Sequence, residues 1–398
     1  MENATILIAV LVMGTVVFNP RVANARLWRA TVTPLASIIG SGFLVLGPIL
    51  DASFGAWAPA VMAALCLLAW FFGAAVRLNI AALDAGTMPD TRPVRTMETA
   101  ADWALAFAYV ISVAYYLNLF GAFAVSLTPL HEGVFARTVT SAFMLFILAI
   151  GWFRGFRALE RLEEFSVGLK LSIIAGLIVG LGWNFTGQAT GGTLVVNPAG
   201  TKGWAAIALT FGLIVTVQGF ETSRYLGAIY DAETRIRSMK LAQIVSAAIY
   251  MAYILLLAFL FPSGSFQLSE TAIIDLMRFV APVLPALLVA AALGAQFSAA
   301  VADTGGSGGL VNELTGRRIS ARQAYAILFA IGLVLTWTLN VFQIISYASR
   351  AFALYYALQA AVAALAAARQ PRGAPLAAGY AALALLGFAM AAFGTPVE

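Results

Sequence analysis

The chain of 398 residues is 62% hydrophobic and only 10% charged, and its mean hydropathy is +0.91. Because soluble proteins carry about 25% charged residues, the polar residues here are too few to cover a surface in contact with water. One cysteine, Cys66, and one histidine, His131, exclude a disulfide framework, a Cys/His zinc cluster and a Cys/His catalytic pair. The composition therefore predicts an all-α polytopic membrane protein surrounded by the lipid bilayer.

Twelve apolar stretches follow one another along the chain, and each approaches the roughly 20 residues that a helix needs to cross a bilayer. The first has features of a secretory signal, but Glu2 replaces the basic start and Asn19-Pro20 lacks a small-residue cleavage pattern. We interpret it as a retained helix. The stretches are residues 4–19, 30–50, 56–79, 100–127, 136–153, 163–185, 203–229, 241–261, 277–304, 323–340, 342–368 and 375–394.

The basic residues indicate how these helices are oriented. Most of the 23 Lys and Arg residues fall in the loops after the odd-numbered helices, which places those loops in the cytoplasm and both termini outside. The exceptions are Arg137, Lys170, Lys202, Arg278 and Arg350. The net charge of +5 is thus a signal of topology and not of nucleic-acid binding. We expect a cell membrane location, in particular a bacterial inner membrane.

Two of the predicted helices contain glycines and polar residues at mid-membrane depth. The second carries Gly40-Ser41-Gly42, and the seventh carries Gly219 in the run TVQGFE at residues 216–221. One explanation is close packing, since small residues let membrane helices approach each other. The other is local unwinding, which is tolerated in a membrane only where the backbone lines a cavity or site. Because discontinuous helices at matching positions of two halves are typical of transporters, we favour unwinding.

The second predicted helix, with its Gly-Ser-Gly followed by bulky apolar residues, resembles the opening helix of the amino acid–polyamine–organocation (APC) transporter superfamily. The seventh resembles the sixth core helix of that superfamily, whose aromatic-rich run ends in Gly-Phe-Glu, here Gly219, Phe220 and Glu221. Lys170 is similar to a lysine on the fifth core helix of many such permeases. The resemblance covers roughly residues 31–369.

The resemblance implies the five-plus-five inverted-repeat fold of the leucine-transporter type, with two discontinuous helices. Its repeats would be residues 30–185 and 203–368, joined by an extracellular or periplasmic loop at 186–202. Residues 1–29 would form an extra N-terminal helix with a cytoplasmic connector, and residues 369–398 a C-terminal helix. The chain departs from the family pattern in that extra first helix and in lacking the usual Asn-Pro after the acid Asp231.

The resemblance also implies a substrate site built mainly from backbone at the two breaks. Amide N–H groups of the first break would bind the substrate carboxylate, carbonyls of both breaks would bind its ammonium, and Phe220 would cover it as a gate. Tyr115 and Asn118, one turn apart, could face this site or belong to the interfacial tyrosine belt. The other implied substrate-binding residues are Ile38, Gly40, Ser41, Gly42, Phe43, Thr216, Val217 and Gly219.

Four polar residues inside predicted helices are candidates for coupling or gating, because ionisable groups at a helix centre cost about 2.5–3.5 kcal/mol in a membrane. Lys170 could occupy the sodium position of sodium-coupled relatives and carry a proton, or it could snorkel to the interface. Asp303, with Ser298 nearby, could pair with that lysine or simply end the ninth helix. Glu221 could sense protons, or could pair with Arg224 one turn on.

We therefore expect a secondary transporter for an amino acid or related amine, coupled to protons or working by exchange, with sodium as the alternative coupling ion. The sequence has no Gly-x-x-x-x-Gly-Lys-Ser/Thr loop to support ATP-driven transport. An intramembrane enzyme would need grouped acids or histidines, which argues against an enzyme. A membrane sensor or complex subunit built on a transporter fold stays open. No cofactor is expected.

Overall fold

All regular secondary structure in the described part of the chain is helical. The computed structural model describes residues 2–129, 133–153, 157–371 and 373–397; the side chains of Ser41 and residues 157–164 lie outside that description. The helices are α1 (Glu2–Val17), α2 (Pro20–Ala23), α3 (Arg26–Ser41), α4 (Phe43–Phe54), α5 (Ala58–Asp84), α6 (Arg92–Val125), α7 (Gly133–Phe153), α8 (Arg157–Gly191), α9 (Gly203–Gly212), α10 (Ala232–Leu257), α11 (Ala272–Val280), α12 (Leu284–Leu314), α13 (Ala321–Thr338), α14 (Val341–Ala368) and α15 (Ala374–Phe393). Short 3-10 helices cover Gly55–Trp57, Ile214–Val217 and Phe220–Tyr225.

These helices account for the twelve predicted crossings. Within the described residues, nine helical segments are long and apolar enough to cross a membrane, and one of them, Arg26–Asp84, runs for 59 residues and contains two predicted crossings. The shorter apolar helices Glu2–Val17 and Gly203–Gly212 stand at two further predicted positions. The prediction of an all-α polytopic protein is therefore confirmed.

The helices differ in how deeply they are buried. The apolar part of α6 is 94% buried, whereas the corresponding parts of α7 and α15 are only 17% buried. α6 packs against both α12 and α14, and α15 covers the outer side of α14. The core thus centres on α6, while α7 and α15 present apolar side chains to the surrounding lipid.

The first expected break is a single residue. α3 ends at Ser41 and α4 begins at Phe43, and Gly42 between them has φ −149° and ψ 6°. α4 has no side-chain cap at this end. Its first amide N–H groups therefore lack helical acceptors, and they lie in the interior of the protein.

The second expected break is longer and less regular. α9 ends at Gly212, Gln218 is extended, and Gly219 adopts the left-handed region with φ 116°. Beyond Gly219 the chain forms a 3-10 helix that ends at Tyr225. The prediction of a span continuing to residue 229 was wrong, because the left-handed Gly219 and the 3-10 segments on either side of it interrupt the α-helix.

The boundary predicted for the ninth crossing was also wrong. The helix expected at 277–304 is split into α11 and α12, and α12 continues through the glycine-rich segment to Leu314. An added Cβ on Gly306 would lie 3.1 Å from the ring of Tyr109, and one on Gly308 would strike Tyr325. These glycines permit close packing of a continuous helix, so they do not end it.

The N-terminal helix α1 packs along α8 through a stripe of small residues. Gly168, Ser172, Gly176 and Gly180 recur every four residues on α8 and so share one face. Side chains added at these glycines would touch Phe18, Val10 and Ile6. Because four-residue spacing of small side chains lets two helix backbones approach closely, α8 holds α1 against the rest of the fold.

Candidate functional site

The two breaks lie against each other at the centre of the protein. A Cβ added to Gly42 would lie 2.7 Å from Cγ2 of Thr216 and 2.8 Å from the hydroxyl of Tyr115. A Cβ on Gly219 would lie 2.5 Å from Ser37 and 2.7 Å from the amide nitrogen of Ile38. Glycine is therefore required at both positions by close approach, and at Gly219 also by its positive φ.

A tyrosine on α10 joins the two breaks. The hydroxyl of Tyr250 donates to the carbonyl of Thr216 at 2.5 Å and lies 3.1 Å from the carbonyl of Ile38. Its ring packs edge-on against Phe43, with the ring centroids 5.3 Å apart. Two of the carbonyls implied for an ammonium group thus share one protein hydroxyl in this structure, a contact that sequence reasoning missed.

Glu221 is fully buried and bonded to the break itself. Its Oε2 accepts hydrogen bonds from the amide of Gly219 at 2.9 Å and from the hydroxyl of Tyr356 at 2.7 Å. Its Oε1 has no hydrogen-bond partner within the described residues. The carboxyl group therefore holds the left-handed turn in place through Oε2 alone.

Arg224 does not pair with Glu221, contrary to one of the two alternatives. Its guanidinium forms an ion pair with Glu98 of α6 and a hydrogen bond with Gln359 of α14. One residue further, the hydroxyl of Tyr225 donates to Asp102 at 3.0 Å. These contacts tie the end of the second broken helix to α6 and α14 on the predicted cytoplasmic side.

Lys170 is buried and contacts the first broken helix. Its Nζ donates to the carbonyl of Ala36 on α3 at 2.7 Å and lies 3.6 Å from the position of a Cβ on Gly40. Snorkelling to the interface is thereby contradicted, since the side chain is only 2% exposed. Beside it is a narrow cavity of about 20 Å³, also lined by Gln296, which is room for about one water molecule.

Asp303 lies inside α12 and not at its end, because that helix continues for eleven residues beyond it. The side chain is 2% exposed, and its Oδ2 accepts a hydrogen bond from Ser112 of α6 at 2.5 Å. Ser298 is also buried on α12, and its hydroxyl donates to the carbonyl of Ala295 at 3.1 Å. The pairing of Asp303 with Lys170 stays a prediction.

Tyr115 and Asn118 separate into different roles. The hydroxyl of Tyr115 stands beside Gly42 and has no hydrogen-bond partner in the described part of the chain. The amide of Asn118 donates to the carbonyl of Ala114 and to Thr336 of α13, at 2.7 and 2.8 Å. Asn118 therefore joins α6 to α13, and only Tyr115 of this pair reaches the breaks.

Phe220 is buried on the predicted cytoplasmic side of Gly219, where its ring stacks on Tyr356 at a centroid distance of 5.0 Å. Val217 is buried in the 3-10 turn before the break. His131 lies outside the described residues, as does the side chain of Ser41. Within the described residues, no group of three or more His, Cys, Asp or Glu side chains could hold a metal ion.

The sequence did not lead us to predict a further buried acid. Asp51 on α4 is 5% exposed and lies near Asn197 of the loop before α9, and its Oδ1 has no hydrogen-bond partner within the described residues. Asn197 itself donates to the carbonyl of Phe261 at 2.8 Å. The sequence did contain a signal for this acid, because Asp51 directly follows the predicted end of the second crossing at Leu50. A prediction one residue longer would have placed the acid inside the membrane.

Comparisons with known proteins agree with this geometry. A sequence profile described as APC superfamily transporter matches residues 20–394. A protein of Aquifex aeolicus (strain VF5), named only as uncharacterized, is 41% identical over 352 residues, which are 87% of this chain and 85% of that protein. The structure of Mhp1, a nucleobase-cation-symport-1 family transporter in a closed conformation with bromovinylhydantoin bound, is similar with a TM-score of 0.58 and 12% identity, over 85% of this chain and 77% of that one. At such low identity, this last similarity concerns the fold alone.

Proposed function

The chain belongs to the APC superfamily of transporters, and from that premise we propose that it carries an amino acid or a related amine by secondary active transport. The observation that carries this proposal is the direct contact between the two broken helices, joined by the hydroxyl of Tyr250. A site made of amide and carbonyl groups from two breaks suits a small solute that bears both charges, because each charge meets a fixed backbone dipole.

The carboxylate of the substrate would bind at the start of α4. Amide groups of Ser41, Gly42 and Phe43 stand where that helix begins, and a helix N-terminus attracts negative charge through its dipole and its unpaired N–H groups. The absence of a side-chain cap on this helix supports the proposal. Tyr115, whose buried hydroxyl lies beside Gly42, would be a further donor.

The ammonium would bind the carbonyls of Ile38, Thr216 and Val217. In the present structure the hydroxyl of Tyr250 contacts two of these carbonyls. An ammonium group has three N–H donors, so it could take both carbonyls and leave the tyrosine to move aside. Substrate binding would thereby replace the hydrogen bonds from the Tyr250 hydroxyl with hydrogen bonds from the ammonium.

Proton coupling would use Glu221 and Lys170. Glu221 lies in the second broken helix, and Lys170 lies on α8 and contacts the first. Glu221 accepts the amide hydrogen bond of Gly219, and Lys170 donates to the carbonyl of Ala36 on α3. A proton added to the carboxylate, or removed from the ammonium, would weaken the corresponding contact. Each change would favour a different arrangement of the broken helices, as alternating access requires.

Uptake into liposomes containing the purified protein tests the proposal. Labelled amino acids and amines, and hydantoins because of the solved Mhp1 complex, would be offered with an inward proton gradient, an inward sodium gradient, or neither. We expect amino acid or amine uptake that an acid exterior accelerates. Stimulation by sodium alone would replace the proton proposal with sodium coupling.

A sensor or complex subunit is the second candidate; because the predicted cytoplasmic loops are too short to hold an output domain, a partner protein would have to supply one. Thermal-shift measurements with the same compounds distinguish it. Binding without uptake or exchange under any gradient would favour the sensor. Failure to bind or move any amino acid or amine at any pH would overturn the substrate class that we propose.

A further inference from the structure

A groove between α5 and α15 opens on the lipid-facing side of the protein, away from the two breaks. Its volume is about 590 Å³, and its walls include Trp70, Phe71, Ala74, Leu376 and Gly379. That volume falls within the range of about 300–1,000 Å³ typical of ligand pockets. The transport site does not include any of these residues, so the groove requires an explanation of its own.

A buried cation lies behind two of the residues that line this groove, Trp70 and Tyr380. Arg77 is 6% exposed, and its guanidinium lies 4.6 Å from the centre of the Trp70 ring that lines the groove. The guanidinium donates to the side chain of Gln243 and to the carbonyl of Trp70. Tyr380, another groove residue, is near enough to Arg77 for an electrostatic interaction.

Arg77 forms no ion pair with any acid in the part of the chain that the structure describes. A charged side chain inside a membrane segment is costly unless it is paired. Its neutral partners satisfy hydrogen bonds but leave the positive charge uncompensated. The site therefore favours an anionic group that arrives from outside the protein.

The depth of these residues identifies the source of that anion. Arg77 precedes the end of α5 by seven residues, and Tyr380 follows the start of α15 by six, so each lies about 10 Å from its helix end at 1.5 Å per residue. Both ends are on the predicted cytoplasmic side. A tyrosine at the depth of Tyr380 is typical of the lipid headgroup boundary, and the apolar groove continues from there toward mid-membrane past Leu383 and Leu386.

We propose that the α5–α15 groove binds an anionic phospholipid of the cytoplasmic leaflet. Its acyl chain would lie along the apolar walls of Phe71, Leu383 and Leu386, which lie deeper in the membrane. Its phosphate would approach Arg77 beside Trp70 and Tyr380. Basic positions between membrane helices on the cytoplasmic side are suited to such headgroups. The phosphate supplies the counter-charge that Arg77 lacks.

The experiment compares phosphatidylglycerol with phosphatidylcholine on the purified full-length protein. Native mass spectrometry counts the bound lipids, and thermal unfolding measures the stabilisation by each lipid. We expect phosphatidylglycerol to remain bound and to raise Tm by about 4 °C or more over phosphatidylcholine. Equal binding and equal shifts for the two lipids would overturn the proposal.

Two variants test whether phosphatidylglycerol binds in the groove. Gly379→Leu adds a side chain into open space in the groove and should weaken phosphatidylglycerol binding about tenfold, and Arg77→Gln should do so by a similar factor. Gly182→Leu on α8, also in open space, is the matched control and should keep the lipid. If Arg77→Gln fails to fold, Gly379→Leu alone decides the question.

A second copy of the chain seated in the groove is the competing occupant. Cross-linking of the Leu376→Cys variant in membranes would then give a dimer. Gly379→Leu would abolish that dimer without changing lipid binding. That result would overturn the lipid proposal, whereas a monomer that loses phosphatidylglycerol in Gly379→Leu would support it.

Discussion

The two broken helices are interrupted in structurally different ways. The first is interrupted by Gly42 alone, with regular α-helix on both sides. The second loses its α-helical geometry from Leu213 onward and never regains it, passing through two 3-10 segments and the left-handed Gly219. Only the second break carries an acid, Glu221, bonded to its own backbone.

This difference indicates what each break contributes. The first provides a rigid helix end, so its chemistry comes from backbone position and should tolerate side-chain changes that leave the space around Gly42 free. The second is stabilised by side chains, because the 3-10 segments have poorer hydrogen-bond geometry than an α-helix. Substitutions of functional side chains should therefore be most damaging at the second break.

The largest effect is expected from Gly219→Ala. The left-handed conformation costs an L-residue about 1–2 kcal/mol, and the new Cβ would collide with Ser37 at 2.5 Å. Together we expect about 3 kcal/mol of destabilisation and loss of uptake, measured by thermal unfolding and by liposome transport. Gly305→Ala on α12, where the added Cβ meets nothing within 4 Å, is the control and should lower neither, since alanine is favoured over glycine inside a helix.

Glu221→Gln tests whether the second break depends on charge. The substitution weakens the hydrogen bonds from Gly219 and Tyr356, and bonds to charged groups are worth about 1.5–3 kcal/mol. We expect uptake to fall about 10- to 100-fold and its dependence on external pH to disappear. Glu233→Gln removes an exposed acid paired with Arg237 and should retain the normal pH profile; an unchanged profile in Glu221→Gln would contradict proton sensing there.

Gly42→Ala measures how tightly the first break meets the second. Its φ of −149° is accessible to any residue, so the damage comes from contact with Thr216, for which we expect about 2 kcal/mol. Thr216→Ser removes the Cγ2 atom that lies 2.7 Å from the new Cβ. The double variant should therefore recover part of the lost stability and uptake. Strictly additive losses would show that the Cγ2 atom of Thr216 does not cause the damage and would point to the Tyr115 hydroxyl, 2.8 Å from the new Cβ.

The smallest effect is expected from Tyr250→Phe. Loss of the hydroxyl leaves the carbonyls of Thr216 and Ile38 without that donor, which should cost about 1 kcal/mol of stability. Because an ammonium would no longer compete with the tyrosine, its apparent affinity should increase. Tyr253→Phe, which removes a longer 3.3 Å bond to Leu44, is the matched control. Weaker substrate binding in Tyr250→Phe would contradict the exchange that we propose.

Several features of the site could be read from the sequence, and others could not. Glycines at mid-membrane depth revealed both breaks, because unwinding needs residues without side-chain restrictions. Glu221 and Lys170 stood out because ionisable groups are rare in apolar helices. Tyr250 and Tyr356 gave no such signal, since a tyrosine in a membrane helix is equally suited to the interface or the core.

The errors have a common cause. Asn118 was placed with Tyr115 because both lie on one helix, but α13 supplies the partner that draws Asn118 away from the breaks. The glycine-rich segment after Asp303 predicted a helix end, but Tyr109 and Tyr325 fill the space above its glycines. In both cases a neighbour from a distant part of the chain decided the outcome.

The sequence by itself determined the crossings and the positions of the two interruptions, and it predicts their orientation. These properties depend on the transfer of local segments into lipid and on the charges that flank them, both of which are set by residues adjacent along the chain. Only the tertiary structure decided which groups complete the breaks: Tyr250 between Ile38 and Thr216, and Glu98 instead of Glu221 for Arg224. Which partners form these bonds depends on distances of a few ångströms between helices that are far apart in the sequence. Hydropathy does not contain information about those distances.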